Sequence, residues 1–336
     1  LLGGAHVKGA TLAAVCDLVP DRANALSAKY GVPAFTDMHA MMGATALDAV
    51  AILTESGSHA EHTLELAPYG KHIIVEKPMA LTLDDADAMI RACDRYGAKL
   101  FVVKQNRFNV PVVKTRQALE AGRFGKLILG TVRVRWCRRQ EYYDQAPWRG
   151  TWALDGGVLT NQASHHVDLL EWMMGSVESV HALSSTALAD IEAEDTAVAV
   201  LRFKNGALGV IEATTATRPA DIEGSLSLLG SNGTAVIGGF AVNQLHTWKF
   251  ETSLPGDDEV LSKYSVNPPS VYGFGHQAYY EHVIDCITNG SPALVDGLEG
   301  RRSLELITAL YESVETGLPV KLRFTPTRCR LGMRDA

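Results

Sequence analysis

His72-Ile-Ile-Val-Glu-Lys-Pro78 is a short apolar run that ends in a charged pair and a proline. A run of this length and continuity suits a strand buried on both faces of a parallel sheet. Three similar runs flank it: residues 11–16 (TLAAVC), 48–53 (DAVAIL) and 99–103 (KLFVV). Between the runs lie helical patterns. The clearest covers residues 82–96, with Thr82 as N-cap and Asp85 three residues on, a variant of the capping box. There Ala86, Met89, Ile90 and Cys93 recur at i, i+3, i+4 and i+7 and make one apolar stripe, and Gly97 is a suitable stop. Strand–helix repetition of this kind predicts right-handed βαβ units in a doubly wound, Rossmann-type parallel sheet.

Beyond about residue 125 the texture changes. Residues 126–138 alternate, with Val132, Val134 and Trp136 on one face and Arg133 and Arg135 on the other. Further strands are expected over 195–203, 207–214, 224–229 and 233–238, with Asn205-Gly206 and Asn232-Gly233 as turn signals. Helices are expected at about 276–289 and 298–317. The fold class is therefore α/β: a dinucleotide-binding domain over residues 1–106, then an α+β domain over 107–336 with an open, mainly antiparallel sheet. The second domain is expected to bind substrate and to oligomerise.

Composition bounds the function. The chain has 336 residues, 46% apolar and 21% charged, which is ordinary for a globular protein of roughly two domains. No run approaches the roughly 18 apolar residues of a membrane span. The net charge of −7 argues against a general nucleic-acid binder. Five cysteines without a C-x-x-C pair predict free thiols in a reducing cytoplasm and no zinc site. The opening residues lack the basic region of a signal peptide.

A Rossmann fold normally places a G-x-G-x-x-G turn about 20 residues before an acidic residue that binds the adenosine ribose. Asp17 ends its apolar run as that acid should, and a helix N-cap is the ordinary alternative for it. Counting back from Asp17 runs off the front of the sequence. The expectation is that one βα unit is missing and that Leu1-Leu2-Gly3-Gly4 is the tail of its helix.

Three groups of residues carry chemistry. Lys77 follows its strand directly, and ligands of parallel sheets bind beyond the carboxyl ends of the strands. Pro78 stiffens that exit and can take a cis bond. A lysine so mounted can donate to a substrate hydroxyl or move a proton if its pKa falls, whereas in isolation it would pair with Glu76 on the surface. The second group lies in Asp155-Gly-Gly-Val-Leu-Thr-Asn-Gln-Ala-Ser-His-His-Val-Asp168. A helix is expected from about Val158, which puts Asn161 and His165 on one face and lets Asp168 orient the same imidazole. His166 points elsewhere, and no further ligands stand at metal-binding spacing. The third group is basic and aromatic: Lys104, Gln105, Asn106, Arg107, Arg133, Arg135, Arg138, Arg139, Tyr142, Tyr143, Trp148 and Arg149. In an acidic chain such a cluster suits an anionic, ring-bearing ligand; a solvated strand face is the alternative.

These motifs together resemble the glucose-fructose oxidoreductase / inositol dehydrogenase family (Gfo/Idh/MocA) of NAD(P)-dependent dehydrogenases, over essentially the whole chain. The family lysine falls on Lys77, its glycines on Gly156 and Gly157, its histidine on His165 and its last aspartate on Asp168. The family's other aspartate falls on Asn161, which removes a charge and leaves proton transfer to His165 or Lys77. V-x-K-Q-N-R-F-N, W-R-G-T-W and N-Q-A-S-H-H-x-D resemble more narrowly the bacterial UDP-N-acetylglucosaminuronate 3-dehydrogenases, which serve lipopolysaccharide biosynthesis.

The resemblance implies a cytoplasmic homotetramer with NAD as cofactor and a nucleotide-sugar substrate, and no nucleic acid, membrane or metal partner. Asp17, Thr54, Glu55, Ser56, His59, Glu76, Lys77, Pro78 and Gln105 are expected to bind the cofactor. His165 is expected to take the hydroxyl proton while Lys77 steadies the alkoxide, with Lys77 as base the alternative; Asn161 completes the catalytic group. Lys104, Asn106, Arg107, Arg135, Tyr142, Trp148 and Arg149 are expected to hold the substrate. A same-family dehydrogenase of a free sugar or inositol, and a non-catalytic binding protein without a phosphate loop, are the competing readings.

Overall fold

The structure, a computed structural model, describes residues 7–265, 274–322 and 329–332. The stretch Leu1-Leu2-Gly3-Gly4 lies outside the described residues. The first half runs β1 (Val15–Cys16), α1 (Pro20–Tyr30), β2 (Ala34–Phe35), α2 (Met38–Ala44), β3 (Ala49–Ile52), α3 (His59–Leu66), β4 (His72–Val75), α4 (Leu83–Arg95) and β5 (Leu100–Val102). All pairings are parallel: β1 with β2, and β3, β4 and β5 side by side. The Thr82 hydroxyl accepts from the Asp85 amide and starts α4 as its sequence predicts. Ile73 and Val75 point into a core with Leu66, Met89 and Cys93, while Ile74 faces the other way. Each such side chain, fully buried, contributes about 1.5–3 kcal/mol, and burial on both faces is why these strands read as continuous apolar runs.

The second half runs α5 (Val110–Glu120), β6 (Leu127–Arg135), α6 (Gln140–Tyr143), α7 (Ser164–Met174), β7 (Val177–Ser185), β8 (Thr196–Phe203), β9 (Leu208–Thr214), β10 (Glu223–Gly230), β11 (Gly233–Gly238), β12 (Gln244–Phe250), α8 (Val260–Lys263), α9 (Gly275–Thr288), α10 (Gly297–Thr316) and β13 (Val320–Lys321). Among the described residues, eight strands form one sheet here, in the order β12-β11-β10-β6-β9-β8-β7-β13. The expected meander is interrupted at one place. β6 inserts between β10 and β9 and runs parallel to β9, so the hairpins β8–β9 and β10–β11 flank a strand that arrives from the first domain. Strands β7 and β12 carry no period strong enough to have been expected.

One face of this sheet packs on α7 and α10, with Val132, Val134, Ile211, Leu226, Leu170 and Met174 in its core. Gly130 permits the close approach of α7, since a Cβ there would lie 2.6 Å from Met174 Cγ. The last two helices return to the first domain. Tyr279 and Val283 of α9 cover Ile74, Phe101 and Val103, and the Val102 amide donates to Val295 O at 3.2 Å just before α10.

Candidate active site

Lys77 leaves β4 on a cis Lys77–Pro78 bond. The segment is braced on both sides: the Glu76 amide donates to Ile52 O and the Val103 amide to Val75 O. Lys77 Nζ reaches across to the second domain and donates to Asn161 O at 2.9 Å and to Asn161 Oδ1 at 3.2 Å. Burial lowers its pKa, against the charges of Glu76 and Asp155. Glu76 accepts from the Lys77 amide at 3.1 Å, and burial raises its carboxyl despite the neighbouring Lys77.

The helical start expected at Val158 is instead a series of turns, and α7 begins at Ser164. The ladder is broken at Ala163, whose amide reaches five residues back to Val158 O at 2.8 Å, while the amides that open the segment are held from outside it. The Gly157 amide donates to Tyr311 Oη at 3.1 Å, Val158 to Glu194 O at 2.9 Å and Leu159 to Glu194 Oε1 at 2.9 Å. Asn161 therefore does not share a helical face with His165. Its side chain donates from Nδ2 to Asp155 Oδ1 at 2.7 Å, and Asp155 Oδ2 accepts from the Gly150 amide at 2.9 Å. Asp155 is buried. Its carboxyl is pushed up to about 6 by burial, against the hydrogen bonds from Gly150 and Asn161 and the charges of Lys77 and Arg149. Asp155 carries no role among the residues expected from the sequence, where it only opens its segment. An acid just before the glycine pair was the available signal.

His165 lies on α7 with Nε2 3.0 Å from Gln105 Nε2, and its Nδ1 is buried without a partner. Burial, then the charges of Lys77 and Lys104, hold its pKa well below the ordinary imidazole value, so the ring is neutral at neutral pH. The amide of Gln105 donates to the lone pair of Nε2, with Nδ1 carrying the hydrogen; this tautomer follows from the amide assignment. His166 packs edge-on to Trp136, ring centroids 5.7 Å apart, away from the site.

Four expectations need correction. Asp168 does not orient His165. Arg107 grips it in a fork, Nε to Oδ2 and Nη2 to Oδ1, both at 2.8 Å, while Lys104 Nζ stands 3.9 Å away. Arg107, at 3% exposure and with Nη1 on Glu299, is thus a buried strut and not a substrate ligand. Arg135 lies on the uncovered face of the large sheet, with Nε on Glu212 at 2.5 Å and Nη1 on Glu223 at 3.3 Å, because the period of β6 turns it away from α7. His59 does not line a cleft. It is buried, Nδ1 2.7 Å from Pro78 O and Nε2 3.0 Å from Thr54 O, and ties the exits of β3 and β4 together.

Lys104 and Asn106 are likewise buried; Lys104 contributes positive charge beneath His165. Tyr142, Trp148 and Arg149 stay together. Arg149 lies over the Tyr142 ring at 4.2 Å and the Trp148 ring at 5.5 Å, and Tyr142 Oη accepts from Gln162 Nε2 at 3.4 Å. The Arg149 charge bears on Asp155, and Asp155 on the Tyr142 hydroxyl, so these two stand near the acid that holds Asn161.

The carboxyl ends of the parallel strands fit a dinucleotide. Asp17 Oδ1 accepts from the Val19 amide at 2.8 Å, which fixes the carboxylate at the end of β1. Beside it Leu18 is 84% exposed, and Leu53 at the end of β3 is 63% exposed. A fixed acid suits ribose hydroxyls, and bare leucines suit the faces of an adenine. Thr54 Oγ1 is 3.0 Å from His62 Nδ1, Ser58 Oγ donates to Glu55 Oε1 at 2.7 Å, and Ser56 is buried. The Oε1 atom of Gln105 is buried without a partner next to His165. Among the described residues no helix is long and apolar enough to cross a membrane, and no three His, Cys, Asp or Glu side chains gather as metal ligands.

Residues 4–104 match the oxidoreductase family's NAD-binding Rossmann fold (GFO_IDH_MocA), and residues 116–322 match its C-terminal alpha/beta domain. The chain is 45% identical to the WlbA dehydrogenase from Bordetella pertussis, solved in complex with NADH and UDP-GlcNAcA. That likeness has a TM-score of 0.89 and covers 94% of this chain and 90% of the other. It is 40% identical to the WlbA dehydrogenase from Chromobacterium violaceum, solved with the same two ligands, with a TM-score of 0.88 over 94% and 89% of the two chains. It is also 30% identical to the myo-inositol 2-dehydrogenase of Thermotoga maritima, over 94% of this chain and 92% of the relative.

Proposed function

Because the chain belongs to the Gfo/Idh/MocA oxidoreductase family and is an NAD-dependent dehydrogenase, we propose that its substrate is a UDP-linked sugar acid of the UDP-N-acetylglucosaminuronate type, oxidised at a secondary hydroxyl, C3. What supports this reading is that Lys77 reaches across to Asn161, four residues before His165, in a chain 45% identical to a dehydrogenase solved with UDP-GlcNAcA.

When bound, NAD supplies the acceptor for the hydride. Asp17 holds the adenosine ribose; Asp rather than Arg there favours NAD over NADP. His165, neutral at rest, takes the hydroxyl proton. Its lone pair is shared with the Gln105 amide, so substrate must displace that amide to reach Nε2. Lys77 has one N–H left after its two bonds to Asn161, and it donates to the oxygen on which charge develops. Burial beside Glu76 holds both groups away from bulk water, where such a bond counts for more. Tyr142, Trp148 and Arg149 face the nucleotide or the uronate carboxylate.

The test is a panel of UDP-sugar acids, UDP-sugars, free sugar acids and inositols, followed by absorbance of the reduced cofactor. Turnover confined to UDP-sugar acids supports the proposal. Preference for a free inositol, the activity named for the Thermotoga relative, overturns it.

Two further features support assembly and location. The uncovered sheet face carries Leu183, Val198, Val200 and Leu208, all exposed, and a second copy of the chain is the partner we assign to it, as expected for a homotetramer. The five free cysteines fit the reducing cytoplasm, where the nucleotide-sugar precursors of lipopolysaccharide are made.

A further inference from the structure

Asn161, the amide that receives Lys77, has a carboxylate one hydrogen bond away. Asp155 approaches from the turn before the glycine pair and accepts from Asn161 Nδ2 at 2.7 Å. Its second oxygen accepts from the Gly150 amide at 2.9 Å. With both oxygens engaged by donors, Asp155 forces the Asn161 amide to present its nitrogen backwards and its oxygen forwards. That oxygen is the one that receives Lys77 Nζ at 3.2 Å.

We infer that Asp155 is a positioning residue that acts through the Asn161 amide to orient and charge-stabilise Lys77. The inference rests on the role given to Lys77 above. The row Gly150 N–H, Asp155, Asn161, Lys77 has only one donor–acceptor sense that leaves no buried donor unmatched. It keeps the negative charge one residue behind the lysine, where it supports the ammonium without pairing with it directly. Lys77 also faces Glu76 at its own strand exit, Lys104 at the end of β5, His165 on α7 and His59 on α3. Asp155 itself faces Arg149, Tyr142 and Glu194.

Exchanging the two side chains should restore the row. In Asp155→Asn two amides meet, and one buried N–H must then point at either the Gly150 amide or the Lys77 ammonium. In Asn161→Asp two carboxylates meet, and one must take up a proton. In the double variant Asp155→Asn/Asn161→Asp every donor again has an acceptor. Both single variants are expected to lose at least about tenfold in kcat, less than the roughly 100-fold or more that follows loss of an acid–base group itself, and the double variant is expected to recover most of that loss.

The second readout needs no turnover. Lysine carrying 13C at Cε reports the Lys77 titration by NMR, assigned with Lys77→Ala, and in Asp155→Asn it is expected to move to lower pH. A Lys77 titration unmoved by Asp155→Asn, or a double variant no better than its parents, overturns the inference. The substrate is whichever compound the wild type oxidises. If Lys77→Ala keeps full turnover the reading of Lys77 fails; if Lys77→Ala is dead and Asp155→Asn is normal, only the role of Asp155 fails.

Discussion

The ammonium of Lys77 sits 2.9 Å from the backbone oxygen of Asn161, 84 positions further along the chain. The contact joins the exit of a parallel strand in one domain to the turn before α7 in the other. The site therefore exists only where the two domains meet, and Lys77 is both its bridge and one of the two groups to which we assign the chemistry.

Removing either of those groups should spare the cofactor half. Lys77→Ala and His165→Ala are each expected to lower kcat by at least about 100-fold, with NAD affinity changed little, since Asp17, Leu18 and Leu53 are untouched. Steady-state kinetics with a separate NAD titration by calorimetry checks this. Near-normal turnover in either variant would falsify its role.

Arg107 should behave as a strut. Arg107→Ala takes both of its hydrogen bonds from the buried Asp168 carboxylate and leaves it only the longer Lys104 contact at 3.9 Å, at a cost of about 3 kcal/mol. Urea unfolding is expected to show that loss, with KM for the sugar little changed in whatever folds at low temperature. A raised KM with an unchanged unfolding midpoint would return Arg107 to the substrate.

Glu194 should make stability fall with rising pH. Burial pushes its carboxyl from 4.5 to about 7, so the folded chain keeps a proton that the unfolded chain has already released. Stability from this group is complete below the unfolded value and is lost as pH rises through the folded one. Glu194→Gln keeps an oxygen for the Leu159 amide and the Tyr311 hydroxyl and has no proton to lose. Its stability should fall less between about pH 5 and about pH 8, by at most roughly 3 kcal/mol at about 1.4 kcal/mol per pKa unit. Glu171, also raised to about 7 by burial, acts alike in both proteins and cancels in the comparison. Parallel unfolding curves for the two proteins at both pH values would refute the assignment.

The uncovered sheet face should govern assembly. Val198 and Val200 are 48% and 58% exposed on β8, and Val198→Asp/Val200→Asp is expected to give a smaller species by native mass spectrometry. A wild type that is already monomeric, or a variant with an unchanged mass, removes that face from consideration.

Much of this was open to reading before any coordinates. Ile73 to Val75 announced a doubly buried strand because both faces of a parallel sheet are apolar. Thr82 and Asp85 announced a helix start because the capping bonds are local. Lys77 could be placed because a strand end fixes where the next side chain goes. What could not be read is non-local. Nothing in the alternation of β6 tells that it lies parallel to β9, or that Arg135 meets Glu212 across that pairing. Asp168 is 61 positions from Arg107, and a spacing of three to His165 looked like the nearer partnership. The turns at Val158 to Ala163 read as helix because their apolar pattern is helical; what the pattern does not carry is the anchoring of their opening amides by Glu194 and Tyr311, far along the chain, or the five-residue reach of the Ala163 amide to Val158 O.

The return of α9 to the first domain has a consequence for biosynthesis. A ribosome that has released everything up to β5 has released strands whose outer apolar face, Ile74, Phe101 and Val103, still waits for Tyr279 and Val283. Nascent chains must carry that bare patch until synthesis is nearly over, so a premature stop codon before α9 should yield a sticky, chaperone-bound fragment instead of a small working nucleotide binder.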